Sequence, residues 1–360
     1  MGTEGKSGFG SMSTAEDVTE GLNLEDYTAI VTGATAGIGL ETARVLAKRG
    51  ARVIFAVRNV KLGETLKAEF MKESPHARIL VMHMNLSDLA SVRAFAAKFK
   101  DSRLPLNILV NNGGISSTTG PQSTPDGLEL MFATNFLGHF LLTELLLDTM
   151  RETAKESGIQ GRIVIVSGHL HNFTPKGGIA FDKLINQNEI WGFSGYGQSK
   201  LAGILHGREL AERLTAEGAN ITVNSLHPGA VQTKLTHLDG FLGFLISKIA
   251  FHTSSKPTVD VHGPGRKKMC TAEIKNVNPG LMLICGLTDG ELVLCFLFFC
   301  FVLFAQAAAT QVYVATHPQV HGVTGKYFAD YNEYELRGLA MDKKLQLKLW
   351  KWTEEYLKTH

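Results

Sequence analysis

From Thr28 onward the chain alternates short apolar runs with longer stretches of helical periodicity. Thr28–Thr32 reads as a first strand, followed by a glycine-bearing turn and a helix that runs to Lys48. Ala51–Val57 is a second strand and 61–73 a second helix. Arg78–Met84 is a third strand, after which Ser87 or Asp88 is placed to cap a helix reaching about Lys100. Leu106–Val110, Arg162–Val166, Ile221–Leu226 and Gly325–Phe328 bring the strands to about seven, and long helices are predicted over 127–150 and 196–216. Strands that are apolar along their length, each followed by a helix, predict a parallel sheet covered on both faces. The expected fold is therefore α/β, a doubly wound sheet in one domain over 26–335.

Composition adds two boundaries. The 360 residues are 44% hydrophobic and 19% charged, which excludes a disordered tail protein, a collagen or a disulfide-stapled peptide. The formal charge of +2 offers no bulk attraction to nucleic acid, and none is expected as a partner. Residues 1–25 carry Gly, Ser, Thr and acid without an apolar run, and are expected to form a flexible or loosely docked lead-in. No cleavable signal is visible there. Gly2 invites a myristoylation reading, but Lys6 stands where Ser or Thr is wanted.

One window breaks the alternation. Residues 257–305 hold every cysteine (Cys270, Cys285, Cys295, Cys300) and end in 14 consecutive apolar residues, Leu292–Ala305, five of them Phe. A membrane span needs about 20 residues. Three readings stay open for this C-terminal insertion: a membrane-inserting or interfacial segment through 292–305, a substrate lid, or a retained intron. The intron reading notes that Phe, Leu, Val and Cys are what a pyrimidine tract encodes, and that the following Gln306 codon can end in AG.

The turn Thr32–Gly39 joins the first strand to the first helix with the spacing Gly33-x3-Gly37-x-Gly39. Such a turn lets backbone N–H groups approach a pyrophosphate at a helix N-terminus. Further motifs follow in order: Asn111-Asn112-Gly113-Gly114 after strand four, Asn135 in the long helix, Tyr196-x3-Lys200, and His227-Pro228-Gly229 after strand six. Together they resemble the short-chain dehydrogenase/reductase family over about residues 26–256 and again from about 306 to 335. Thr134–Phe140 and Tyr196–Lys200 are most similar to its retinol-dehydrogenase-like branch and that branch's plant members, which include a chloroplast inner-envelope import-associated dehydrogenase.

The resemblance implies a Rossmann-like fold and an alcohol–carbonyl oxidoreductase. It places the dinucleotide on Gly33, Thr35, Ala36, Gly37, Ile38 and Gly39, with Asn85, Leu86, Asn112 and Gly113 on the adenine side. Pro228, Gly229, Val231 and Thr233 would border the other end. Asn85 stands where the family often has Asp, and its amide oxygen could still accept from the adenine amino group. After strand two the chain reads Val57-Arg58-Asn59, without the acid that would hold a ribose 2′-hydroxyl. Arg58 suits a 2′-phosphate, with Asn59 beside it also expected on the cofactor, so NADP(H) is the expected dinucleotide.

Tyr196 and Lys200, four apart on a helix, share a face. By resemblance Tyr196 is the general acid/base, Lys200 lowers its pKa and holds the nicotinamide ribose, and Asn135 supports a proton-relay water. The family's catalytic serine is the second of a pair, whereas this chain reads Val166-Ser167-Gly168-His169. Ser167 matches the first serine and Gly168 takes the catalytic position. His169, His171 and Ser194 are alternative donors. The expectation is an NADP-dependent enzyme for a small apolar alcohol or carbonyl, impaired by Gly168; the alternative is an NADP(H)-binding sensor or scaffold. Residues 336–360 form an amphipathic helix with Leu345, Leu349, Trp352 and Tyr356 on one stripe. That stripe suits packing over the core, with calmodulin as another reading. A homodimer is left open, as is a cytoplasmic or chloroplast inner-envelope location.

Overall fold

The structure is a computed structural model that describes residues 6–10, 12–116, 120–185, 192–229 and 304–360. Of the anomalous insertion only Phe304 and Ala305 fall within the described residues.

The elements run β1 (Thr28–Thr32), α1 (Gly37–Lys48), β2 (Arg52–Val57), α2 (Val60–Glu73), β3 (Arg78–His83), α3 (Leu89–Asp101) and β4 (Ile108–Asn111). Then come α4 (Leu130–Ser157), β5 (Gly161–Val166), α5 (Gly192–Ala216), β6 (Ile221–His227) and α6 (304–316). The chain closes with β7 (Tyr327–Ala329), β8 (Asn332–Glu333) and α7 (Lys343–Thr359). The strands form one eight-stranded sheet in the order β3-β2-β1-β4-β5-β6-β7-β8. Seven are parallel, as the alternation predicts; β8 adds a short antiparallel edge on β7.

Alternate strand residues feed two apolar layers. Ile30, Leu109, Ile163 and Val223 face the layer under α3, α4, α5 and α7. Ala29, Val31, Val110 and Val164 face the layer under α1 and α6. Asp88, rather than Ser87, caps α3, its carboxylate accepting from Ala90 and Ser91 N–H. α4 is long and apolar enough to cross a bilayer, but it is buried within the chain as a core helix. Its fourth to eighth residues, Ala133–Leu137, form a π-helical turn.

The lead-in is packed over its described part. Ala15 and Val18 are buried, and Ala15 N–H donates to the Ala305 carbonyl. Glu16 pairs with Arg44 and Lys48 of α1, and Phe9 meets Tyr313 and Tyr331 edge-on. Three isolated anchors, spaced too irregularly to read as an element, hold a segment whose composition alone suggests looseness.

Candidate active site

The chain order of the sheet reverses at β1, whose neighbours are β2 and β4. In open α/β sheets ligands bind outside the C-terminal strand ends at such a point. Two motifs 70-odd residues apart in sequence therefore meet here: the glycine turn after β1 and the Asn111–Gly114 run after β4. Asn112 donates from its backbone N–H to Thr32 Oγ1 at 2.9 Å and from Nδ2 to the Thr32 carbonyl at 2.9 Å. Gly113 N–H donates to the same hydroxyl at 2.7 Å. The approach is close enough to require glycine. A Cβ on Gly33, which has φ +68°, would stand 2.9 Å from Gly113 Cα, and one on Gly39 would collide with the Asn112 amide.

This cradle fits a pyrophosphate. Ala36, the residue before α1, puts no side chain on the first-turn N–H groups of Gly37, Ile38 and Gly39, so these are open to an anion. Thr35 lies in the same turn. The Phe304 ring borders it, 3.5 Å from where a Gly37 Cβ would stand. Gln311 of α6 steadies the turn from below, donating from Nε2 to Asn112 Oδ1 at 3.1 Å and accepting from Thr42 Oγ1 at 3.0 Å.

On the adenine side, Arg58 is exposed at the end of β2, and no hydrogen bond or ion pair holds its guanidinium among the described residues. Asn59 is spoken for: its side chain caps α2 by accepting from Leu62 N–H. Asn85 also departs from expectation. Its amide oxygen accepts from both the N–H and the hydroxyl of Ser87, at 3.3 and 3.0 Å, which fills its two lone pairs. Only its amino group is left for a ligand. Leu86 lies against Gly113, as a wall of this side should. Pro228 and Gly229 follow β6 directly; Val231 and Thr233 lie outside the described residues.

The reacting groups gather at the ends of β4, β5 and α5. Lys200 Nζ donates to the Val166 carbonyl at 2.9 Å and sits 5.5 Å from the centroid of the Tyr196 ring. Asn135 lies in the π-turn, a feature that often marks functional sites. Its side chain accepts from Ile115 N–H at 2.8 Å and donates to the Ile115 carbonyl and to Ser199 Oγ. A Cβ on Gly114 would stand 3.1 Å from Asn135 Oδ1 and 3.6 Å from Lys200 Nζ, so these groups converge on one point. Burial pushes the Tyr196 phenol up to about 12 and the Lys200 amine down to about 8.

Position 168 is where the sequence leads us to expect a missing hydroxyl. Ser167 is buried and turned into α5, donating to the Lys200 carbonyl at 3.0 Å, while its N–H continues the β5–β6 ladder to Leu226. No bulge redirects it. Gly168 faces the other way: a Cβ there would stand 3.9 Å from Tyr196 Oη, within reach of a serine hydroxyl. Its backbone is extended, φ −177°, so any residue could adopt it. Of the alternative donors, His171 uses Nδ1 on the Gly168 carbonyl at 2.8 Å, His169 is exposed, and Ser194 lies on the first turn of α5. Gln311, Thr32 and His139, which bears on Thr32 Oγ1 at 2.9 Å, were not legible as site residues; Gln311 and Asn112 stand 199 positions apart.

Comparison with known proteins identifies the family. The short chain dehydrogenase family profile matches residues 27–181. The chloroplastic short-chain dehydrogenase TIC 32 B of Brassica napus is 42% identical over 349 residues, 97% of this chain and 94% of that protein. Retinol dehydrogenase 12 of Mus musculus is 32% identical over 339 residues, 94% of this chain and 89% of that one. A crystal structure of an uncharacterised protein from Mycobacterium paratuberculosis superposes with TM-score 0.65 at 25% identity, covering 95% of this chain and 97% of the other. The chain belongs to the short-chain dehydrogenase/reductase family, in its retinol-dehydrogenase-like branch, oxidoreductases on a Rossmann-type fold that bind NAD(P)(H).

Proposed function

We propose that this chain is an NADP(H)-dependent reductase that interconverts a carbonyl and an alcohol on a small apolar substrate, with turnover held down by Gly168. The observation that carries the reading is the assembled group of Tyr196, Lys200 and Asn135 opposite a glycine whose Cβ position lies 3.9 Å from the Tyr196 hydroxyl. Gly33, Thr35 and Ala36, with the N–H groups of Gly37–Gly39, would hold the pyrophosphate and Arg58 the 2′-phosphate. Leu86 and Gly113 would flank the adenine, and Lys200 would hold the nicotinamide ribose near Pro228 and Gly229. Bound there, the nicotinamide supplies or takes the hydride.

The chain's own residues then handle the proton. A phenol held protonated by burial is an acid, so Tyr196 is set to give its proton to a carbonyl oxygen as that oxygen becomes an alcohol. Lys200, fixed on the Val166 carbonyl, stabilises the phenolate that forms. Asn135 clamps Ile115 and Ser199 and so fixes the floor beside Lys200, where a relay water would return the proton. Exposed Phe173 after β5 and Phe193 at the start of α5 put apolar rings on the two elements that carry Gly168 and Tyr196, which supports an apolar substrate.

A second reading, an NADP(H)-binding sensor or scaffold with little catalysis, is favoured by the same Gly168 and by Ser167 being turned away. Fluorescence titration with NADPH and NADH, followed by turnover on a panel of aldehydes and ketones, separates the two. NADPH-selective binding with slow reduction is expected; selective binding with no turnover anywhere on the panel selects the sensor.

A further inference from the structure

Thr32 ends β1 with a hydroxyl at the centre of a one-way chain of hydrogen bonds. Gly113 N–H donates to it at 2.7 Å and Asn112 N–H, shared with the Val110 carbonyl at 3.0 Å, donates at 2.9 Å, and together they take up both of its lone pairs. Its own hydrogen has two acceptors in range, His139 Nε2 at 2.9 Å and the Val110 carbonyl at 3.4 Å. A protonated Nε2 would aim a third N–H at an oxygen with no lone pair left, so Nε2 accepts. On the other side of the ring, Nδ1 lies 3.1 Å from the Asn135 carbonyl, which can only accept. Nδ1 therefore carries the hydrogen. Both edges of the imidazole select the same tautomer. The ring is 4% exposed, and burial, with Lys200 nearby, holds its pKa down at about 4, so it is neutral around pH 7.

These bonds add a second tie between two halves of the site that Asn135 already joins through Ile115, two residues after Gly113. On one side is the Asn112–Gly113 turn that forms the cofactor cradle. On the other is the π-turn of α4, from which Asn135 holds Ile115 and Ser199; Ser199 Oγ in turn donates to the Tyr196 carbonyl at 2.7 Å. The next bond along α4 runs in parallel: Thr143 Oγ1 donates to the His139 carbonyl and accepts from Asn111 Nδ2, at the end of β4 beside Asn112, without reaching β1. Only the His139 ring spans from β1 to the π-turn by side-chain hydrogen bonds among the described residues.

We propose that His139 is a positioning residue for the reaction: as the Nδ1–H tautomer it ties the Asn112–Gly113 turn to Asn135 and so sets Asn135 and the Tyr196 turn of α5 against Lys200. This rests on the reductase reading above. The ring touches neither Tyr196 nor the cradle's phosphate side; it acts through Thr32 and Asn135.

The test compares His139→Phe, His139→Gln and His139→Asn in the wild-type and Gly168→Ser backgrounds. Gln can still accept from Thr32, and Asn can still donate to the Asn135 carbonyl; Phe can do neither. Phe is expected to bind NADPH as its parent does and to lose about ten- to a hundredfold in kcat at nearly constant KM. Gln and Asn should each recover part of that loss. A folded His139→Phe with its parent's kcat overturns the proposal. If Phe does not fold, parental kcat in His139→Asn, which lacks only the Thr32 link, overturns it equally. A readout free of turnover is the pair of Asn135 side-chain amide resonances, which must shift in His139→Phe or Asn; unchanged resonances also overturn it. Failure of the parent protein to bind NADPH would instead reject the reductase reading, and the resonance test would still decide the role of His139.

Discussion

At the scale of single residues, the proposed site differs by one hydroxyl from the serine-bearing site that the family resemblance implies. In the sequence, spacing alone puts Tyr196 and Lys200 on one helix face and marks the glycine turn, whereas the roles of both residues and the choice of Asn135 come from the family resemblance. Residues whose role depends on a distant partner were not legible there. Nothing near Asn85 says that Ser87 will occupy both lone pairs of its amide oxygen, and nothing near Gln311 points to Asn112. Two predictions belong here. Arg58→Ala should weaken NADPH binding by roughly ten- to a hundredfold, the worth of a charge-assisted contact, and leave NADH nearly unchanged; parallel fluorescence titrations check this. An equal loss for both cofactors would show that Arg58 does not read the 2′-phosphate. Ser167→Ala should cost about 1 kcal/mol in chemical denaturation, from its bond to the Lys200 carbonyl, with kcat changed far less than a catalytic serine would require. A hundredfold fall in kcat would place Ser167 in the reaction after all.

At the scale of elements, periodicity located most strands and helices to within a few residues. However, α4 runs seven residues past the expected end at 150, α7 starts seven after the expected 336, and β8 was not foreseen. What each helix would meet was not legible either. In α7 the expected stripe of Leu345, Leu349, Trp352 and Tyr356 faces the core layer, yet the most enclosed indole is Trp350. It lies on Phe140 at 5.0 Å and under the Arg213 guanidinium at 4.1 Å, and its Nε1–H donates to Glu354. The reason is tertiary: α4 and α5 bring Phe140, His206 and Arg213 to one side of α7, widening the stripe that heptad spacing suggests. The apolar face on which a calmodulin reading relies is thus covered within the chain. Trp350→Ala should cost about 3–5 kcal/mol in denaturant unfolding. A cost under 1 kcal/mol would mean that α7 contributes little to the core. The lead-in teaches the same lesson, since Phe9 and Glu16 become anchors only because α1 and α6 lie beside them.

At the scale of the whole molecule, the parallel direction of the strands was readable from the alternation but their order was not, and the site follows from that order, because the reversal at β1 brings the glycine turn to the Asn112 run. Burial on both faces also has a global cost in acid. His139, His206 and His227 are held neutral by desolvation, at about 4, 3 and 4. The unfolded chain takes up these protons below about pH 6.5 while the folded one does not. Stability is therefore whole above pH 6.5 and falls as pH drops towards 4, by about 1.4 kcal/mol per pH unit for each proton. Glu144, raised to about 7 by burial and by Glu354, and Glu129, raised by burial, work in the opposite sense, while His171 and His317, lowered by burial, add to the decline. Unfolding followed from pH 7.5 to 4.5 should show this decline, and His206→Leu, at a nitrogen without a hydrogen-bond partner, should make it shallower. An unchanged slope in that variant would remove His206 from the explanation. What remains is whether the assembled site lacks only its serine hydroxyl. Gly168→Ser adds that hydroxyl on an extended backbone beside Tyr196 Oη, and kcat for NADPH-driven reduction should rise by roughly 10²–10³ with NADPH affinity unchanged. A kcat equal to that of the wild type, in a variant that still binds NADPH, would contradict it.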